Sequence, residues 1–190
     1  MKRPFARPAG AIFLSAVLTL ANTMVCTLAA AAEPSAGPGL IARSWASVTD
    51  GEAWQGDGHW RVALAPYAPH FRYSAEHRRV WALAVERQRA DNWLAGLSYF
   101  RNSFGQPSAY AYIGHRSDKV FGQDPLYFQW SAGVLYGYKG AYKNKVALNV
   151  NGFAPGALVG LGWQFNKQSA VTLHLLGDAA MMLQLSHDFR

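Results

Sequence analysis

The chain has 190 residues, a formal net charge of +7, hydrophobic residues at 51%, aromatic residues at 14%, charged residues at only 15%, and one cysteine. One domain fits that length, and a lone cysteine excludes an internal disulfide and a cysteine-built metal site. So much apolar and so little charged material implies that some apolar surface faces something other than a protein core.

Lys2, Arg3 and Arg7 precede an apolar stretch from Ala11 to Leu20, and Ala30-Ala31-Ala32 precedes Glu33. That is the three-part pattern of a cleaved secretory signal over residues 1–32. Asn22 and Thr23 interrupt the apolar run, which favours cleavage over a spanning anchor. Cys26 lies inside the signal behind Val25 and is not read as a lipidation site. Without the leader, 15 basic residues stand against 11 acidic ones. That excess is mild, nucleic acid is not the expected partner of an exported chain, and an anionic membrane surface is a plausible one.

Residues 33–58 form a lead: Gly, Ser and Ala dominate after Pro34, and the Trp-punctuated part from Ser44 fits either a short amphipathic helix or a segment without regular structure. From His59 onward the period changes to two. Segments of about ten residues, bounded by turn residues, fall at about 59–68, 79–88, 92–102, 107–117, 126–138, 156–166, 168–176 and 179–190. In the third, Trp93, Ala95, Leu97 and Tyr99 oppose Gly96 and Ser98; in the fifth, Trp130, Ala132, Val134 and Tyr136 oppose Gln129, Ser131, Gly133 and Gly137. The last three repeat the pattern through Val159, Leu161, Trp163 and Phe165, then Val171, Leu173 and Leu175, then Met181, Leu183, Leu185 and Phe189.

A water-soluble sandwich also shows period two. Aromatic residues near segment ends, an even strand number and a chain ending just after Phe189 favour an all-β, eight-stranded antiparallel transmembrane barrel over residues 59–190 of the bacterial outer membrane. In hydrocarbon an open sheet edge leaves backbone groups without partners, so such a sheet must close. Short inner turns and longer outer loops then place His70 and the Asn102-Ser103 pair at the outer rim, together with Arg72, Arg79, Arg101, Lys139 and Lys143. Those cations suit the phosphates of lipid A. His115 and His187 fall toward the inner end and His174 at mid-barrel or higher, and none has a second ligand at metal-like spacing.

"APYAPHFRYSAEH", "NWLAGLSYFRNSFGQPSAYAYIGHR" and "NGFAPGALVGLGWQF" together resemble the PagP family of lipid A palmitoyltransferases, from about residue 60 to the carboxyl end. The resemblance implies an outer-membrane acyltransferase, with no cofactor or metal, that moves a palmitoyl-type chain from a phospholipid to lipid A as a monomer. The family's essential His maps to His70, and its Asp-Ser pair maps to Asn102-Ser103, with Asn in place of Asp. Of its pairing-weakening prolines, Pro66 fits the first, while Leu176-Gly177-Asp178 offers no match for a later one; Gly114 is a candidate for the glycine at the floor of the acyl well. His70 would be the base, Ser103 the nucleophile or an oxyanion donor, and Asn102 an orienting amide without the charge that stabilises imidazolium. The alternative is a non-catalytic barrel of the same fold that binds lipid or another surface component.

Overall fold

In the computed structural model of the protein, residues 46, 48–177 and 179–189 are described. The segment expected to be a signal (residues 1–32), Cys26 within it, and Asp178 lie outside them. The chain divides into two units, residues 1–53 and 54–190. At the end of the first, the Asp50 carboxylate accepts hydrogen bonds from the Glu52 and Ala53 amides and so caps the short helix α1 (Gly51–Gln55).

The second unit contains eight strands: β1 (Gly58–Tyr67), β2 (Trp81–Arg89), β3 (Trp93–Arg101), β4 (Pro107–Asp118), β5 (Leu126–Tyr136), β6 (Phe153–Gln164), β7 (Ser169–Leu176) and β8 (Ala180–Phe189). Each is antiparallel to the next, and β8 returns to β1, which closes the barrel. The long connections, residues 68–80 and 137–152, share a rim with 102–106 and 177–179, here the loop rim; the turn rim carries residues 90–92, 119–125 and 165–168.

The barrel is inside-out relative to a water-soluble domain. Leu97 is 60% exposed on the outside, while Arg61 is 1% exposed within. Charges are buried and large apolar side chains are not, an arrangement that only a lipid surround rewards. Aromatic pairs mark both ends of the apolar band: Trp93 against Trp130 and His115 near the turn rim, Trp81 against Tyr99 and Tyr136 against Phe153 near the loop rim. The chain is a membrane-spanning barrel of the bacterial outer-membrane type.

The inside differs along the axis. Toward the turn rim, Arg61 donates to Asp188 at 2.6 Å and lies 3.5 Å from Glu86, which accepts from the Tyr112 hydroxyl at 2.7 Å. Tyrosine rings lie over glycines of neighbouring strands, Tyr112 on Gly96, Tyr127 on Gly162 and Tyr110 on Gly156, where a methyl group would collide with the ring. These small inward residues therefore make room for the rings on the inner wall. Toward the loop rim the inner wall becomes apolar and small, with Ala65, Ala68, Val80, Ala82 and Met182 clustered and Phe100, Leu158 and Leu176 packed against them.

Candidate functional site

Two interruptions of the ladder shape the loop rim. Proline supplies no amide donor, so a strand containing it loses a rung. Pairing of β1 with β2 runs from Gly58↔Arg89 to Ala65↔Ala82, and Pro66 follows at a bulge where β1 slips against β8 between Leu64 and Tyr67. On β6, Val159 to Gln164 pair with β7, whereas Ala154 to Leu158, with Pro155 among them, pair with β5 alone among the described residues. The strand expected from residue 156 instead begins at Phe153 and contains Pro155, which the sequence pattern assigns to the long connection; a proline inside a segment of strand character is itself the signal of an interrupted ladder.

Beyond the bulge the chain keeps to β8. The Met181 amide donates to the Pro69 carbonyl at 3.0 Å and the Phe71 amide to the Ala179 carbonyl at 2.9 Å, so backbone bonds fix the chain on both sides of His70. Ser103 is held from the other side of the gap. The Arg78 amide donates to the Ser103 carbonyl at 2.7 Å, and the Gly105 amide to the Asn102 carbonyl at 2.9 Å, with Gly105 at φ +77. Its left-handed backbone favours glycine there.

These restraints bring the two predicted residues together: His70 Nε2 lies 2.7 Å from Ser103 Oγ. The Tyr138 phenol, from the loop after β5, lies near the Ser103 side chain. Burial raises the Tyr138 pKa and the Ser103 contact pulls it back in part. Burial lowers the His70 pKa below the usual imidazole value, and the neighbouring His77, whose ring centroid is 4.1 Å away, lowers it further. His77 in turn meets Phe104 edge-on, and Phe104 stacks on Tyr142 at 4.3 Å. The neutral imidazole that a base requires is thus favoured at neutral pH.

Asn102 does something else. It is 1% exposed; its Oδ1 accepts the Phe104 and Gln106 amides, both at 3.0 Å, and its Nδ2 donates to Ser108 Oγ at 3.1 Å. None of these partners is His70, so the expected orienting amide is instead the knot of the turn that presents Ser103. Strand parity places His77 at the same rim without giving it a part in the site, and the sequence does not single out Tyr138; only the folded loops bring them beside His70 and Ser103.

The expected phosphate-binding residues Arg72, Arg79, Arg101, Lys139 and Lys143 are all exposed. The Lys139 ammonium binds the Tyr136 hydroxyl and lies over its ring, while the other four have no ion-pair partner among the described residues. Lys145 faces Glu76 at 3.4 Å and joins the two long loops. Gly114 does not face open space: a β-carbon there would strike the Trp130 carbonyl and sit 3.1 Å from Leu94 Cδ1, so close strand approach accounts for the glycine.

No family model matches the chain, and no curated protein does. Solved structures similar to it include the Yersinia pestis attachment invasion locus protein Ail in complex with the heparin analogue sucrose octasulfate, at 12% identity and a TM-score of 0.40. The N-terminal β-barrel domain of Pseudomonas aeruginosa OprF aligns at 14% identity with a TM-score of 0.43, and Ail in a phospholipid nanodisc at 15% with 0.37. Each alignment covers 70% of this chain and all of the other.

Proposed function

We propose that this barrel is an outer-membrane acyltransferase that moves a palmitoyl-type chain from a phospholipid to a hydroxyl of lipid A, as its resemblance to the PagP family implies. The observation that carries the reading is the 2.7 Å contact between His70 Nε2 and Ser103 Oγ at the loop rim, a base and a hydroxyl within transfer distance. His70 takes the Ser103 proton while Ser103 Oγ bonds to the ester carbonyl carbon, and in this reading the nearby Tyr138 hydroxyl donates to the developing oxyanion. The phospholipid's ester oxygen leaves and takes the proton from His70. A lipid A hydroxyl then gives its proton to His70, attacks the acyl-serine carbonyl and releases Ser103, which recovers its proton.

The rest of the rim supports this chemistry. The interruptions at Pro66 and Pro155 weaken the wall beside the site, the alanine-rich interior below is apolar, and the exposed arginines and Lys143 suit lipid A phosphates. Expression in a host lacking such an enzyme is expected to add one acyl chain to lipid A, read by mass spectrometry, and neither His70→Ala nor Ser103→Ala should do so. An acyl adduct on Ser103 in the intact protein marks it as the nucleophile; turnover without an adduct assigns it to the oxyanion.

One observation favours a non-catalytic lipid-binding barrel instead. The residue in place of the family's Asp is uncharged and its hydrogen bonds go to the turn, so it supplies no carboxylate to an imidazolium. That reading predicts unaltered lipid A from a normally folded protein.

A further inference from the structure

Most lumen polar side chains have found each other. Tyr110 meets Ser131, Tyr127 meets Thr172 at 2.6 Å, Tyr112 meets Glu86, and Arg61 meets Asp188. His174 on β7 is different. It is 4% exposed, and both ring nitrogens lack a hydrogen-bond partner among the described residues. A buried imidazole offers one donor and one acceptor, and leaving both unused is costly enough to call for an explanation.

Its position supplies one. His174 pairs across the ladder with Met182, which packs with Ala65 and Ala68 in the apolar wall, and the next inward pair toward the loop rim is Leu176↔Ala180. Ala180 is the residue that bridges to His70. His174 therefore stands one inward row deeper than the reactive histidine, two residues or about 7 Å along a strand. Gly160 lies against the Nδ1 and Cε1 edge of the ring, where a β-carbon would come within 2.7 Å of Nδ1. The Nε2 edge is turned away from that glycine.

We propose that His174 recognises an oxygen carried by an acyl chain close to its carbonyl, as in a 3-hydroxyacyl chain, when the chain enters the lumen from the loop rim. This rests on the acyl-transfer reading above and changes the chain it favours from an unsubstituted palmitoyl type to one with an oxygen near its carbonyl. An unsubstituted chain leaves the imidazole unpaired, whereas a hydroxyl near the head of the chain donates to Nε2 or accepts from it, as the tautomer requires. A hydroxyl far down the chain passes the histidine.

The test uses the full mature chain, labelled with ¹⁵N-histidine in lipid bicelles, titrated with tetradecanoate, 3-hydroxytetradecanoate and 12-hydroxytetradecanoate at matched mole fractions. The expected result is about tenfold tighter binding of the 3-hydroxy chain than of the other two, with His174 ring nitrogen shifts. His174→Leu should abolish that preference while still binding the plain chain. Because the leucine leaves no unpaired polar group, the variant should fold, which heat-modifiable gel mobility checks; His174→Gln, able to donate and accept, should keep part of the preference if the leucine fails. Equal binding of all three chains overturns this inference alone, and binding of none overturns the acyl-transfer reading with it.

Discussion

The two ends of the lumen are built on opposite plans. At the turn rim, Arg61 is shared between Asp188 and Glu86, Arg116 donates to Asp118 and Gln164 and lies 3.7 Å over the Tyr127 ring, and long side chains cross between strands. At the loop rim the wall is mostly alanine, two ladders are interrupted at prolines, and the polar groups are gathered in His70, Ser103, Tyr138 and His77. The first plan closes the cylinder; the second leaves a small-walled end beside a reactive pair. Stability and chemistry should therefore separate under mutation.

The largest effect belongs to the closed end. Asp188→Ala leaves the buried Arg61 guanidinium with the more distant Glu86 alone and is expected to cost up to about 3–5 kcal/mol in urea unfolding from lipid vesicles. The fraction that remains folded should transfer acyl chains nearly as fast as the parent protein. At the open end the balance reverses. His70→Ala is expected to slow transfer by about 10²- to 10⁴-fold, the usual worth of a general base, with an unfolding midpoint close to that of the parent. A variant at either end that moved both quantities strongly would merge the two halves into one mechanical unit.

A third substitution tests the wall itself. Leu97 faces outward from the middle of β3. Leu97→Arg should destabilise the folded barrel by about 2–4 kcal/mol in a bilayer, with no change in the chemistry at the rim. A cost near zero in a vesicle titration would mean that this surface does not meet hydrocarbon.

The same contrast explains what could be read from the chain. All eight strands were legible because lipid on one face forces alternation, and a one-residue slip would turn every charge outward. The boundaries shift by two or three residues where a backbone feature intervenes: β6 begins at Phe153, before Pro155, and β5 stops at Tyr136, just before Gly137 at φ +149. His70 and Ser103 were legible from strand parity and resemblance. Asn102 was not, since its part is set by Ser108 and the amides of its own turn, and the same residues would compose a site or a turn in one dimension. Nor were the Tyr138 and His77 contacts, which come from loops whose placement no periodicity records.

Asn102 gives a smaller effect. Asn102→Ala leaves the Phe104 and Gln106 amides without their side-chain acceptor and should cost about 1–2 kcal/mol, while lowering transfer through a loosened Ser103. Asn102→Asp keeps the acceptor and allows the Ser108 hydroxyl to donate in its turn. It should hold the loop, and a rise in rate would show that charge near His70 had been missing.

The smallest effect isolates one contact at the open end. Burial first and His77 second hold the His70 pKa below the ordinary imidazole value. A base is active when deprotonated, so transfer should persist as pH falls through about 6.5 and decline only at lower pH. His77→Phe keeps a ring against His70 and removes the neighbouring positive charge. The acid limb of the kcat/KM profile should then move upward, toward 6.5 but not to it, because burial is the larger of the two causes and remains. The plateau at higher pH should not change, since the neutral imidazole is the same species in both proteins. A limb that stays in place would assign the whole depression to burial, and a plateau that falls would show that the His77 ring positions His70 as well as repelling its proton.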